Sequence, residues 1–449
     1  MIPILADFVI PHGMVFFWLA IGFGAYMAWN IGANDVANAM GTSVGSGSLT
    51  IKQAVIIAAV MELAGAVLVG MHVTDTVRKG IFDPAAFDPG QLVLGFLAAL
   101  LAAAVWLQVA TFFGWPVSTT HSIVGAVVGV GTIIGGTDVI QWKKVIEIVM
   151  SWVTSPLCGG LVSYLLFLLI QRKILDQKDP LKQAYRLTPY LVFYVGFVLS
   201  MVMVFKGLKN LNLHLGFQAA VLVSIGVGAL FFILATVLLK KLAVRYEKDR
   251  VALKDANPEV LERKPESDAE EWGEERRFEF ERVEAIFGFL MILSACFLAF
   301  AHGANDVANA IGPVAAVVDI VQSGQVSPKA QVPIWILLLG GAGIVIGLAT
   351  WGYRVIETIG KKITELTPTR GFAANIGAAT TIVLASRMGF PISTTHTLIG
   401  AVLGIGLARG VGSLNFKVIR DILLSWLITI PAGAGLAILF YYILRSLFG

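Results

Sequence analysis

The stretch NIGANDVANAMG, residues 30–41, lies inside a segment that otherwise reads as an oily helix. It carries Asn34, Asp35 and Asn38, a carboxylate with two amides close by. An ionised Asp near the centre of a bilayer costs at least a few kcal/mol, so it faces the protein interior or a water-filled site and has a partner there. No Lys or Arg lies within the motif to serve as that partner. The question sharpens at residues 302–312, HGANDVANAIG, where the eight residues GANDVANA of 32–39 return unchanged at 303–310. The repeat sets Asp306 in the place of Asp35, with Asn305 and Asn309 in the places of Asn34 and Asn38.

The rest of the chain has the composition of a membrane protein. Of its 449 residues, 57% are hydrophobic and only 14% charged, against about 25% charged for a soluble domain. Apolar runs long enough to cross a roughly 30 Å hydrocarbon layer recur along most of the length. Spans are expected at 14–40, 51–73, 91–113, 143–171, 190–206, 217–240, 284–311, 333–357, 371–388 and 415–446. A β-barrel would show short alternating segments instead. The net charge of +4 sits in loops and gives no reason to expect nucleic acid. Cys158 and Cys296 stand in apolar stretches and read as buried free thiols, with no disulfide framework and no cysteine metal site. The N-terminus MIPILADFVIPHG has no basic region, so the first helix is expected to act as the insertion signal.

A second motif is also duplicated. GWPVSTTHSIVGAVVG at 114–129 matches GFPISTTHTLIGAVLG at 389–404, and SWVTSP at 151–156 echoes SWLITIP at 425–431. Motif order is kept, so the chain divides into a first membrane repeat, 1–172, a connecting region, 173–283, and a second repeat, 284–449. The connecting region holds two extra helices and a charged loop at 241–283, which the basic residues around it place in the cytoplasm. The two halves are parallel or inverted. Inversion needs an odd number of crossings between the two motif helices, and six are counted without the stretch 114–136, so that stretch must add one net crossing. The charged loop before residue 284 favours a cytoplasmic start for the second motif helix, the unbasic N-terminus allows an outside start for the first, and inversion is the arrangement expected. The fold expected is an all-α polytopic membrane protein of about 10–12 spans with two re-entrant hairpins at 114–136 and 389–410.

Each duplicated motif suits one kind of ion. Carboxylate and amide oxygens at Asn34, Asp35, Asn305 and Asp306 suit a hard cation such as Na⁺, and they also suit a protonatable carboxylate. On a regular helix Asn38 and Asn309 lie one turn along on the same face. Interhelical hydrogen bonding alone would explain a single buried Asn, but not an Asp–Asn cluster repeated in both halves. In the second motif, Pro116 and Pro391 disfavour helix before them, and Ser118-Thr119-Thr120 and Ser393-Thr394-Thr395 favour a fresh helix start. A helix start presents unpaired N–H groups and a positive dipole end, which is an anion site. His121 and His396 are read as braces of these hairpins rather than a proton relay. Glu62 is a buried-carboxylate candidate with no clear mirror, Gln108 and Asn375 are structural hydrogen-bonders, and Arg387 reaches toward the interface.

At these residues the sequence resembles the inorganic phosphate transporter (PiT) family, whose hallmark is a duplicated GANDVANA signature; the P-x-S-x-x-H stretches at 116–121 and 391–396 also look like the family pattern. The resemblance covers both halves. It implies secondary active uptake of inorganic phosphate in the cell membrane, driven by Na⁺ or H⁺, through two inverted halves and often in a homodimer. It further implies that Asp35 and Asp306 with their Asn neighbours bind the coupling cation and that the Ser-Thr-Thr runs bind phosphate. No cofactor is expected beyond the coupling ion, for which Na⁺ is favoured over H⁺. Sulfate, carried by wider relatives, is the other anion to consider. An intramembrane aspartyl protease using Asp35 and Asp306 would leave the hairpins unexplained. In an anion channel the Asp residues would oppose the flow.

Overall fold

The computed structural model describes residues 9–69, 81, 87–202, 204, 215–256, 268–326, 332–387 and 392–449, and among these every regular element is helical. The first half holds α1 (Gly13–Gly45), α2 (Ile51–Val69), α3 (Pro89–Phe112), α4 (Thr119–Gly135) and α5 (Trp142–Ile170). Two connecting helices follow, α6 (Pro180–Val202) and α7 (Phe217–Ala256). The second half holds α8 (Asp268–Ser323), α9 (Ile334–Trp351), α10 (Pro368–Arg387), α11 (Thr394–Arg409) and α12 (Phe416–Phe448). Eight described helices are long and apolar enough to cross a membrane. Within the described residues each of the ten expected spans is largely helical; 333–357 is divided at Gly352 into Ile334–Trp351 and Tyr353–Glu357, and the ends 70–73, 203, 205–206 and 388 lie outside the described residues. α6 begins about ten residues earlier than expected, at Pro180. The charged segment is largely helical, since α7 runs on to Ala256 and α8 starts at Asp268.

The sharpest agreement with sequence lies at the two Ser-Thr-Thr runs. α4 starts at Thr119 with Ser118 as its N-cap, and α11 starts at Thr394 with Ser393 as its N-cap. Each cap serine accepts from the backbone N–H three residues on, at His121 (3.3 Å) and His396 (3.2 Å). This is the capping geometry that a serine in extended conformation allows. Gly114, before the first run, takes φ 69°, a value at which a side chain would be strained. Its counterpart Gly389, with Phe390 and Pro391, lies outside the described residues.

The halves are interleaved. α4 packs on α12 and α11 packs on α5, so each short helix is supported by the other half. Likewise α1 lies on α9 and α2 on α8. The two signature helices meet directly: Gly24 faces Val314 and Asp35 faces His302, and just ahead of α1 the Val9 N–H donates to the Val321 carbonyl (3.0 Å). Residue numbers rise along α1 while they fall along α8, so these equivalent helices run antiparallel. Small residues make the approach possible. A Cβ on Gly303 would run into the Glu62 backbone, and one on Gly32 into the Ile344 backbone.

The cysteines differ from expectation. Cys158 and Cys296 are free, but Cys158 is exposed and Cys296 half-buried. Apolar surroundings in sequence do not imply burial here, because the outward face of a membrane helix is apolar too. That face of α5 also exposes Val153, Leu157, Leu161 and Leu165.

These contacts predict that Gly303→Val lowers stability by about 1–3 kcal/mol or more, since α2 and α8 must separate to admit it. Gly22→Ala, where nothing lies within 4 Å, should leave the thermal midpoint unchanged or slightly higher. Thermal unfolding of the two purified variants checks this.

Candidate functional site

The antiparallel crossing of α1 and α8 brings both signature motifs to one place, with Asp35 and Asp306 each only 1% exposed. Asp35 Oδ1 accepts from Asn38 Nδ2 (3.0 Å) and from Thr395 Oγ1 (3.0 Å), and Asn38 Nδ2 also donates to Thr395 Oγ1 (2.8 Å). The first signature thus closes on the helix start of the second half. In the mirror arrangement, Asn309 of α8 donates to Thr119 and Thr120 of α4, both at 3.1 Å. Asp306 accepts from its neighbour Asn305 (2.7 Å) and from Thr394 (3.3 Å). Asn305, Thr120 and Thr394 are half-buried, whereas the other acid, amide and hydroxyl candidates here are buried.

Asn34 stands apart from this ring. Its amide nitrogen donates to Thr111 (2.9 Å) and to the Trp115 carbonyl (3.0 Å), and its oxygen accepts from the Val117 N–H (3.2 Å). It therefore ties α1 to the turn that leads into α4. Gln108 and Asn375 act as hydrogen-bonders between helices, as expected. Gln108 accepts from Tyr26 of α1; Asn375 accepts from Thr42 (2.7 Å) and donates to Ser294 (3.2 Å). The Arg387 side chain lies outside what is described.

His121 and His396 meet at the centre, ring centroids 4.6 Å apart and edge to face. His121 also lies 4.2 Å from the Trp152 ring, and His396 stacks on Trp426 at 3.6 Å. Both histidines are buried, and each joins its own short helix to the tryptophan of a long one. This gives the echoing SW pairs of α5 and α12 a physical role as walls around the two helix starts.

One residue of the site was not singled out in the sequence. His302 Nδ1 lies 3.0 Å from Glu62 Oε1, while Nε2 lies 2.9 Å from Asp306 Oδ2 and 3.7 Å from Asp35 Oδ2. One imidazole thus faces three carboxylates, all buried. The same helix contacts identify the mirror positions. The offset between the signatures pairs His302 with Ile31, and the glycine contacts above pair Glu62 with Ile344. A polar pair in one half therefore replaces an apolar pair in the other. The available signal was the single change, Ile31 to His302, just before an otherwise identical motif.

Interleaved membrane-spanning halves, with an acid–amide pair and a helix start from each gathered into one buried site, define the transporter class rather than an enzyme. The profile of the phosphate transporter family matches residues 31–437, and the chain belongs to that family. The chloroplastic inorganic phosphate transporter 2-1 of Arabidopsis thaliana is 46% identical over 432 residues, covering 95% of this chain and 71% of that protein. A solved structure of a sodium-dependent phosphate transporter superposes with a TM-score of 0.82 at 38% identity, covering 96% of this chain and 100% of that one.

The buried pair yields a prediction. His302→Ile leaves Glu62 without its partner and should lower stability by about 3–5 kcal/mol. His302→Ile with Glu62→Ile, which copies the other half, should recover part of that loss in thermal unfolding. A double variant no more stable than the single one would contradict the pairing.

Proposed function

We propose that this multi-pass membrane protein is a sodium-coupled symporter of inorganic phosphate in the cell membrane, working as a homodimer of inverted-repeat chains. The observation that carries this reading is the joining of the two ion sites through shared hydroxyls. Thr395 and Thr394 belong to a capped helix start, suited to an anion, yet both donate to signature carboxylates. A cation held by Asp35, Asp306 and Asn305, with Asn38 and Asn309 behind them, neutralises the acids, while Asn34, expected as a ligand, instead holds the turn into α4. The cation also draws the acid oxygens away from the threonine hydroxyls, which then turn to phosphate. Ser118, Thr119 and Thr120 supply the matching donors from the first half. The cap bonds of Ser118 and Ser393 use the oxygen lone pairs and leave the hydroxyl hydrogens to donate. Cation binding thus makes the anion site favourable, and the coupling is reciprocal.

The antiparallel course of α1 and α8 supports inversion, because equivalent helices pointing opposite ways are related by an axis in the membrane plane. At 17 and 16 residues, α4 and α11 are about 25 Å long, short of the hydrocarbon thickness, in keeping with re-entrant segments. The solved sodium-dependent phosphate transporter supports sodium as the coupling ion. One observation favours proton coupling as a second reading: His302 sits among Glu62, Asp306 and Asp35, where an imidazole can carry a proton.

Uptake of labelled phosphate into proteoliposomes under a Na⁺ gradient, against a pH gradient of equal driving force, separates the two. Sodium stimulation is expected, and it should be abolished in Asp35→Asn and Asp306→Asn. Equal uptake without sodium would sink the favoured reading. Thr395→Val should raise the half-saturating concentrations of both Na⁺ and phosphate on the order of tenfold, as befits loss of a hydroxyl bonded to a charged group, while Thr395→Ser retains function. Phosphate carries a proton that it can donate to a carboxylate and sulfate does not, so the same two Asp variants should also lose preference for phosphate over sulfate in a competition assay.

A further inference from the structure

We propose that Asp35, His302 and Asp306 form a site for a first-row divalent transition-metal ion, and that Glu62 orients the imidazole for it. Each of the three offers one ligand atom, and these atoms lie within 4.8 Å of one another. Ligands about 2.0–2.1 Å from a tetrahedral ion sit about 3.4 Å apart. The distances from His302 Nε2 to the two Asp oxygens, 2.9 and 3.7 Å, bracket that spacing. Two of the facing atoms, Asp35 Oδ2 and His302 Nε2, are buried and have no hydrogen-bond partner. At 2.9 Å from Asp306, Nε2 is close without being aligned as a donor.

Glu62 gives the arrangement its direction. A carboxylate accepting from Nδ1–H fixes the tautomer with the Nε2 lone pair turned toward Asp35 and Asp306, which is the usual outer-sphere support of a metal-binding histidine. The nitrogen decides the class of ion. Hard cations prefer oxygen ligands, whereas imidazole suits Co²⁺ and Zn²⁺. The other half has no counterpart of this site, because the mirror positions carry Ile31 and Ile344. Asp35 comes from α1 while His302 and Asp306 come from α8. A bound ion therefore clamps together the central helices of the two halves, and it competes with any cation that uses the same carboxylates. The site is argued from ligand geometry and stands whether or not transport is sodium-driven.

Titration of the purified, tag-free full chain with Co²⁺, followed by visible ligand-field absorption, tests this directly. One Co²⁺ per chain is expected, displaceable by Zn²⁺ and accompanied by a rise in thermal midpoint. His302→Gln should abolish the bands. Glu62→Gln keeps the imidazole and should weaken binding by about 10- to 100-fold. Absence of saturable binding to the unaltered chain, or binding unchanged by His302→Gln, overturns the proposal. Should His302→Gln fail to fold, unchanged affinity in Glu62→Gln overturns it equally. Phosphate uptake equal with and without sodium, in a chain that binds Co²⁺ as expected, would count against sodium coupling alone.

Discussion

Three carboxylates and one imidazole share the interior of this membrane protein, and the surrounding structure is arranged to make that tolerable. Asp35, Asp306, Glu62 and His302 are each at most 2% exposed, in a setting where an uncompensated charge is costly. His302 faces all three acids, with Nδ1 in hydrogen-bond reach of Glu62. Asn38 and Thr395 donate to Asp35, and Asn305 and Thr394 to Asp306. The glycines at 32 and 303 have the same purpose at one remove. Without a side chain there, α1 and α8 settle against the backbones of α9 and α2, and the charged groups come within reach of one another.

The interleaving of the halves follows from the same requirement. Neither half contains a complete site, because the first signature bonds to the second helix start and the second signature to the first. α4 and α11 are likewise each packed on a long helix of the opposite half. An arrangement shared this way links any movement of one half to the contents of the site. The central His121–His396 contact, walled by Trp152 and Trp426, lies where the two helix starts converge.

The duplication is not perfect, and its departures are informative. Two identical signatures would give two equivalent acid sites, but His302 and Glu62 stand where the other half has Ile31 and Ile344. Asp306 therefore has an imidazole nitrogen 2.9 Å away, while Asp35 sees the same nitrogen only at 3.7 Å. Asn34 and Asn305 are unequal too. The first is fully engaged in holding the α3–α4 turn, and the second reaches its own Asp.

Much of this was legible in sequence, for physical reasons. Apolar runs of membrane length can only be helices or barrel strands in lipid, so composition and period determined the fold class. The Pro-x-Ser-Thr-Thr runs announced helix starts through local backbone preference, and Ser118 and Ser393 cap them as that preference requires. Repetition of the acid–amide motif marked Asp35 and Asp306 as site candidates, and the structure brings both, buried, to one imidazole. What the sequence by itself did not decide was partnership. That Asn38 meets Thr395, that Asn34 turns away to Trp115, and that Glu62 finds His302 are contacts between residues 81 to 357 positions apart. Such contacts are settled by how helices pack in three dimensions, through close approach at Gly32 and Gly303 and the antiparallel course of α1 and α8. The burial of Cys158 was misjudged for a related reason: lipid and core are equally apolar, so only tertiary structure tells which of them a helix face meets.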